Sequence, residues 1–394
     1  MDRVQYDFTP VPHAATIEIG TQCARACEGC AFRETRLQNL SAEEISQAVS
    51  VLSRYWDSIK SSEGHQLIGS RIVELIGGAG VFNKMTSEDI RGILEVARAN
   101  DLVQFAVMCD AEKDVRAIDE LFRIAAELEA NKKTGMKTVV ALSVDALPKE
   151  KPELQRERKS NPSWEMLLHR DDHIKDPETQ NFRVFTTISK KNLTEIPEIA
   201  RRVLESGAVL FVAPLTIHSK ESLVRTGVDG RLLMGTDTEI LLDETNREEM
   251  QRVVEELRKL KVQYPNTFLN VEATFDNMVA CCKPVAEAFR ANCRDKCAFV
   301  TNDGESLIAT PNFRIMRRPD RSDMTLGVCT CMVGPTDSDD NYANTALAEL
   351  AEIAEGRSTT VDLYRKLTAD LTRIACPGCN CRTSIDIKRG QGLI

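Results

Sequence analysis

The chain contains no run of eighteen apolar residues, and its start, Met1-Asp2-Arg3-Val4-Gln5-Tyr6-Asp7, has no apolar stretch of the kind a secretory signal needs. Neither a membrane span nor export is expected, and the protein is read as cytoplasmic. Positive charge is not in excess either. The net charge of −9 argues against a nucleic-acid-binding surface, which needs clustered Lys and Arg to displace counterions. Histidine is scarce, with five in 394 residues. Only His169 and His173 have the spacing of a helical metal pair, and they bracket Arg170-Asp171-Asp172 in a charged stretch that reads as solvated.

Cysteine, by contrast, is abundant. Thirteen are many for a chain kept in a reducing compartment, where disulfides are not expected and metal ligation is the leading explanation. Three lie within 23–30, one stands alone at 109, and nine crowd between 281 and 381. The length exceeds one ordinary domain and suits a barrel with an appended module, and 42% apolar residues supply a sizeable core.

From residue 15 to about 275, short Val-, Ile- and Phe-rich runs alternate with amphipathic helices. The expected strands are Ala15–Gly20, Arg71–Ile76, Val103–Cys109, Thr138–Val144, Phe182–Ile188 and Ala208–Ala213. Ser41-Ala42-Glu43-Glu44 is a capping box ahead of Ile45, Val49, Leu52, Trp56 and Ile59, and Thr245-Asn246-Arg247-Glu248 is a second one. Six βα units imply a parallel sheet, as a partial barrel or a doubly wound sheet. Residues 145–181 interrupt the rhythm and read as a long loop with one helix around Trp164–His169. After about 280 a hairpin is expected around Asn302-Asp303-Gly304-Glu305, with helices at Thr345–Ala354 and Thr360–Ile374. No long helix or sheet is expected there, so metal clusters would staple this module.

Cys23-Ala-Arg-Ala-Cys27-Glu-Gly-Cys30 follows the first strand directly. Three thiolates in one loop can hold three irons of a [4Fe–4S] cluster and leave the fourth open to a small chelator. A zinc knuckle or a structural cluster is the alternative reading of the spacing alone. The CxxxCxxC motif after the first strand of a βα repeat resembles the radical S-adenosylmethionine (SAM) superfamily. That resemblance implies a partial (β/α)6 TIM-like barrel over residues 1–275. It also implies SAM chelated to the open iron, with one-electron cleavage giving a 5′-deoxyadenosyl radical that takes a substrate hydrogen atom.

Further segments match the family in order. Gly77-Gly78-Ala79 follows the second strand, where the family shows two glycines and an acid; Ala79 stands in the acid's place. Ser143-Val144-Asp145 ends the fourth strand and is similar to a SAM-contacting serine–leucine–aspartate; Arg156 or Arg158 resembles the arginine that pairs with the SAM carboxylate. Thr187 and Pro214 close the fifth and sixth strands in segments that also match. The aromatic residue usual before the third cysteine is replaced by Gly29, and Phe32 is the candidate to cover the adenine.

The C-terminal region, 276–394, looks like a SPASM or twitch-type module with one or two auxiliary [4Fe–4S] clusters, a small α+β domain. Its ligand candidates are Cys293, Cys297, Cys329, Cys331, Cys376, Cys379 and Cys381, with Cys281 or Cys282 able to make an eighth. A zinc ribbon is the competing reading. Cys109, at the end of the third strand, is a weak catalytic candidate as a hydrogen-atom donor and otherwise a small buried apolar residue.

The resemblance favours a ribosomally made peptide substrate, modified by crosslinking, thioether formation or epimerisation. A small molecule such as an aminosugar or amino acid, acted on by a dehydrogenase of the same design, is the rival. A non-catalytic iron–sulfur or zinc scaffold is the alternative of another class. Flavodoxin or ferredoxin is the expected electron donor. No leader-binding domain is expected before residue 15, so either a separate protein would present the peptide or the substrate is small; neither nucleic acid nor membrane is expected as a partner.

Overall fold

The computed structural model describes residues 4–5, 9–20, 38–60, 65–132, 135–153, 155–169, 180–214, 223–225, 232–234, 242–282, 299–300, 312–317, 322–327, 345–360 and 362–363. In chain order the elements are β1 (Val4–Gln5), β2 (Thr9–Gly20), α1 (Ala42–Lys60), β3 (His65–Gly77), α2 (Ser87–Ala99), β4 (Gln104–Met108), α3 (Val115–Lys132) and β5 (Lys137–Ser143). They continue with α4 (Gln155–Leu168), β6 (Gln180–Ile188), α5 (Ile196–Glu205), β7 (Val209–Pro214), β8 (Leu223–Arg225), β9 (Leu232–Met234), α6 (Arg247–Gln263) and α7 (Glu272–Cys281). The last are β10 (Phe299–Val300), β11 (Asn312–Met316), β12 (Thr325–Gly327), β13 (Thr345–Ala346) and α8 (Ala348–Ala354).

Strands β2 to β7 lie side by side in chain order, all parallel, as the six expected units require. Each step from strand to strand passes through a helix, which is why the pairing is parallel. The two faces of the sheet differ in a regular way. Ile17, Ile19, Val73, Leu75, Phe105, Val107, Val140, Leu142, Val184 and Leu210 are buried and share one hydrophobic core with the helices. On the other face Ile72, Glu74, Ile76, Arg183, Phe185 and Phe211 are half-buried, whereas Thr16, Glu18, Ala106, Val139 and Ala141 are buried. With a side-chain period of two, one face is covered by helices, and the other, the open face, is less covered by the described residues. Arg183 Nη2 on β6 donates to Gln104 Oε1 on β4 at 3.3 Å, reaching over β5, so the sheet curls towards its open face.

Capping explains the first helix: Ser41 N–H donates to Glu44 Oε2 at 2.8 Å and Glu44 N–H to Ser41 Oγ at 3.2 Å, the expected box. The second box differs from expectation. Asp243 and Asn246, not Thr245 and Glu248, bond reciprocally, and they cap a short 3-10 turn, Glu244–Asn246, that leads into α6. The 145–181 loop holds a longer helix than its composition suggested. α4 starts at Gln155 and carries Pro162 inside it. Buried Trp164 and Leu167 seat that helix on the core, and Ser160 and Ser163 bond to the end of β5, which offsets the poor propensity.

A larger difference concerns the C-terminal region. β11 adds to the barrel sheet parallel to β2, with Phe313 beside Ala15 and Ile315 beside Ile17, and β12 and β13 extend it antiparallel. Phe313, Ile315, Leu326, Leu350, Ile353 and Leu363 belong to the same core as the barrel helices. Tyr55 of α1 packs edge-on to Phe313 at 5.8 Å, and its hydroxyl lies 3.2 Å from Thr360 Oγ1. The described part of this region is thus packed against the barrel helices by apolar side chains, a contribution that the sequence reading did not expect there. The expected hairpin at 302–305 and most of the 360–374 helix lie outside the described residues.

Between β2 and β11 sits a buried ion pair, Arg314 with Glu18, both on the open face. Burial pushes the Glu18 carboxyl up even with the guanidinium beside it. A raised carboxylate pKa means that its stabilising contribution is full at low pH and falls as pH rises through the folded-state value. Replacing Arg314 alone (Arg314→Met) strands a buried acid and is expected to cost about 3–5 kcal/mol near neutral pH. The loss should grow with pH, and the double change Glu18→Met/Arg314→Met should cost less; urea midpoints read from Trp56 and Trp164 fluorescence check both.

Candidate functional site

In a parallel barrel, chemistry gathers where the strands end, because loops leave there. The cysteine loop departs from that rim. β2 ends at Gly20, which has φ of +148°, and a Cβ on it would lie 2.1 Å from Asn39 Oδ1, so only glycine fits. Cys23, Cys27, Cys30 and Phe32 lie outside the described residues, and the chain re-enters at Gln38.

Both feet of this loop are tied down. Gly78 N–H donates to the Gly20 carbonyl at 2.9 Å, and Leu40 N–H to the Ile19 carbonyl at 3.0 Å. On the other side, Gln38 N–H donates to the Arg317 carbonyl at 3.0 Å, while the Arg317 guanidinium bonds the Asn39 carbonyl and pairs with Glu44. Arg317 directly follows β11, so a C-terminal strand braces the loop that carries the N-terminal cysteines.

The glycine run after β3 lies next to the entry foot. A Cβ on Gly77 would come within 2.8 Å of Ile19 Cγ1, and Gly80 has φ of +82°. Ala79 sits between them. Asp114, almost wholly buried, shapes this turn: its carboxylate accepts N–H groups from Gly80 at 3.2 Å, Asn83 at 2.9 Å and Asp110 at 2.9 Å. Burial pushes the Asp114 carboxyl up, and the three amides partly offset that. One side chain thereby joins the turns after β3 and β4.

Further round the rim, Ser143, Asp145 and Thr187 are directly connected. Asp145 Oδ2 accepts from Ser143 Oγ at 2.9 Å, and Oδ1 accepts the Thr187 N–H at 2.9 Å. The Asp145 and Ala146 N–H groups donate to Ser160 Oγ, and Asn192 Nδ2 donates to the carbonyls of Asp145 and Thr187. Pro214 closes β7 opposite Ile188.

Three basic side chains of α4 are placed differently with respect to this array. Arg156 lies 3.6 Å from Glu195, and Arg158 is exposed, with Nε donating to the Pro152 carbonyl at 3.4 Å. Lys159 instead reaches the strand end, with Nζ 2.9 Å from Ser143 Oγ and 3.5 Å from Asp145 Oδ2. Sequence reasoning passed over Lys159 because it looked for a guanidinium. The signal was present in the same helical turn as Ser160 and Ser163.

Cys109 and Cys282 are the cysteines whose side chains are described. Cys109 follows Met108 and faces the helix-side core, where burial pushes its thiol pKa well up. Cys282 is wholly buried in that core, and its Sγ lies 3.7 Å from the Met278 carbonyl. Cys293, Cys297, Cys329, Cys331, Cys376, Cys379 and Cys381 lie outside the described residues.

The cluster is implied by the sequence of the loop between Gly20 and Gln38, and the described rim is what bears on the nucleoside ligand. Three thiols in one short loop suit an iron–sulfur cluster with an open site. The neighbouring rim offers a glycine edge with little side-chain cover and a serine–lysine–aspartate array, which suits a ligand bearing an amino acid head and ribose hydroxyls. Removing the Asp145 carboxylate (Asp145→Ala) takes the side-chain acceptor from the Thr187 amide and the carboxylate partner from Lys159 and is expected to cost about 1–3 kcal/mol. Asp145→Asn retains one acceptor oxygen and should cost less, as urea midpoints will show.

No protein-family model matches the sequence, and no curated protein matches it. Among solved structures, SuiB of Streptococcus suis, crystallised bound to precursor peptide SuiA, superposes with a TM-score of 0.51 at 14% identity. That match covers 93% of this chain and 74% of SuiB. HydG, a maturase of the [FeFe]-hydrogenase, gives a TM-score of 0.40 at 13% identity, over 69% of this chain and 55% of HydG. The likeness to SuiB is one of fold, and the fold is the TIM-like barrel core that the resemblance to the radical SAM superfamily implied.

Proposed function

We propose that the protein is a radical SAM enzyme that modifies a peptide. One observation carries this reading. The loop bearing Cys23, Cys27 and Cys30 leaves β2 and returns on the same rim as the Gly77-Gly78 edge, and the Gly78 amide is bonded to the loop's entry foot. Cluster and SAM, when bound, supply one-electron cleavage of SAM and a radical that abstracts a hydrogen atom. The chain's own part is to hold and orient. The glycine edge lets backbone approach the SAM amino group without a Cβ in the way. Lys159, with Ser143 and Asp145, is the polar array for the carboxylate or the ribose, and Thr187 and Pro214 border it on the neighbouring strands.

A peptide substrate is favoured because SuiB, the fold neighbour, was crystallised with a precursor peptide. Oxidation of a small molecule by an enzyme of the same design is the second candidate. Auxiliary [4Fe–4S] clusters on the C-terminal cysteines would bind substrate or take an electron from the product radical. A flavodoxin or ferredoxin would supply electrons, and a separate protein would present the peptide, in the reducing cytoplasm that keeps thiols free.

After anaerobic reconstitution and reduction, the protein should release 5′-deoxyadenosine from SAM. Joint replacement of Cys23, Cys27 and Cys30 by Ala should abolish release while C-terminal iron remains; continued release would overturn the proposal. Lys159→Met should weaken SAM binding in equilibrium dialysis about tenfold, the value of one charge-assisted hydrogen bond.

A further inference from the structure

The open face of the sheet carries charge where a closed barrel would pack branched apolar residues. Arg183 of β6, Lys137 of β5 and Arg314 of β11 share it with Glu18 of β2 and Glu74 of β3. Among the described residues that is three cations against two carboxylates. Glu18 is taken by Arg314, and Glu74 is the carboxylate whose charge acts on Arg183, while the charge that acts on Lys137 is that of Arg183. Burial lowers the pKa of Arg183 and of Lys137, and the charge of Arg183 lowers Lys137 further. Positive charge is therefore incompletely compensated there.

The hydrogen-bond inventory points the same way. Arg183 Nη2 donates to Gln104 Oε1, which orients the amide so that Gln104 Nε2 is turned elsewhere. Arg183 Nε and Gln104 Nε2 are both buried and have no acceptor. Two buried donors on side chains already bonded to each other call for an oxygen acceptor, and a buried donor left unmet costs free energy. Above them the face is apolar. Phe185 and Phe211 meet edge to face at 5.3 Å, two residues further along their strands than Arg183 and its β7 partner, and Ile76 and Met108 stand half-buried in the row of Arg183 itself.

We propose that this face receives a substrate segment combining an apolar side chain with a carboxylate, the carboxylate held by Arg183 and Gln104 and the apolar group lying against Phe185 and Phe211. The inference rests on the reading of the barrel as the substrate chamber of a peptide-modifying enzyme, and it adds the chemistry that selects the substrate. A carboxylate is the acceptor that meets both donors and balances the charge, and guanidinium–carboxylate bonds are among the strong ones. It can come from an acidic side chain or from a peptide C-terminus.

Three capped dipeptides separate these sources: Ac-Phe-Glu-NH2, Ac-Phe-Gln-OH and the neutral Ac-Phe-Gln-NH2. Their dissociation constants are measured by saturation-transfer NMR on the anaerobically purified full chain, without SAM. At least one acidic probe should bind about tenfold more tightly than the neutral one, and which one does so identifies the source. Arg183→Gln should erase that preference while leaving weak neutral binding, and Arg183→Lys should restore part of it. If Arg183→Gln does not fold, Gln104→Leu, which removes one donor and no charge, should still lower the preference several-fold. Equal binding of all three probes, no binding of any, or a preference that survives these changes would overturn the inference. Release of 5′-deoxyadenosine needs no carboxylate selectivity, so failure here would leave the proposed reaction standing, and failure of SAM cleavage would leave this binding intact.

Discussion

The position of β2 in the sheet governs the rest of the structure. It pairs with β3 on one side and with β11 on the other, so the strand that launches the cysteine loop is fixed on both edges. Its inward side chain Glu18 is locked to Arg314, and three residues later in β11's chain Arg317 holds the point where the loop returns. A loop with short, rigid feet loses less conformational freedom when its side chains are drawn to one centre. The bracing strand, β11, lies between Cys297 and Cys329 in sequence and belongs to the barrel sheet.

Two buried or half-buried carboxylates organise the rim by the same physical means. Strand ends in a parallel sheet release backbone amides that have lost their ladder partners. Asp114 collects three of them from the turns after β3 and β4, and Asp145 collects one from β6 while holding Ser143 and Lys159. Each acid thereby joins neighbouring loops whose relative position a ligand would read. The rim is cross-linked by these bonds, while the inner face beneath it carries half-buried charge.

Much of this was legible in the sequence. The six strands and the first capping box follow from periodicity, because runs such as Val139–Leu142 and Phe182–Ile188 can be buried only in a sheet covered by helices. The N-terminal extensions of β2 and β3 were hidden by Pro10 and Pro12, which read as breakers. Two residues apart, they direct their missing N–H to the same edge, and β11 pairs with β2 only from Ala14 onwards. β11 itself was missed because Arg314 makes its alternation look polar, and the partner that neutralises it lies on β2. Glu18, Glu74 and Arg183 were visible as charges inside apolar strand patterns, a conflict that marks an unusual face. The roles of Lys159 and Asp114 depend on which loops meet in space, which a linear pattern does not carry.

The central claim is that the N-terminal thiols hold a cluster with one iron left for SAM. Electron paramagnetic resonance of the reconstituted, reduced chain, recorded without and with SAM, tests it most directly. SAM should alter the signal of one cluster; the change should persist when Cys376, Cys379 and Cys381 are replaced by Ser and vanish when Cys23, Cys27 and Cys30 are replaced. A spectrum that SAM leaves unchanged, with iron present in the N-terminal loop, would contradict it.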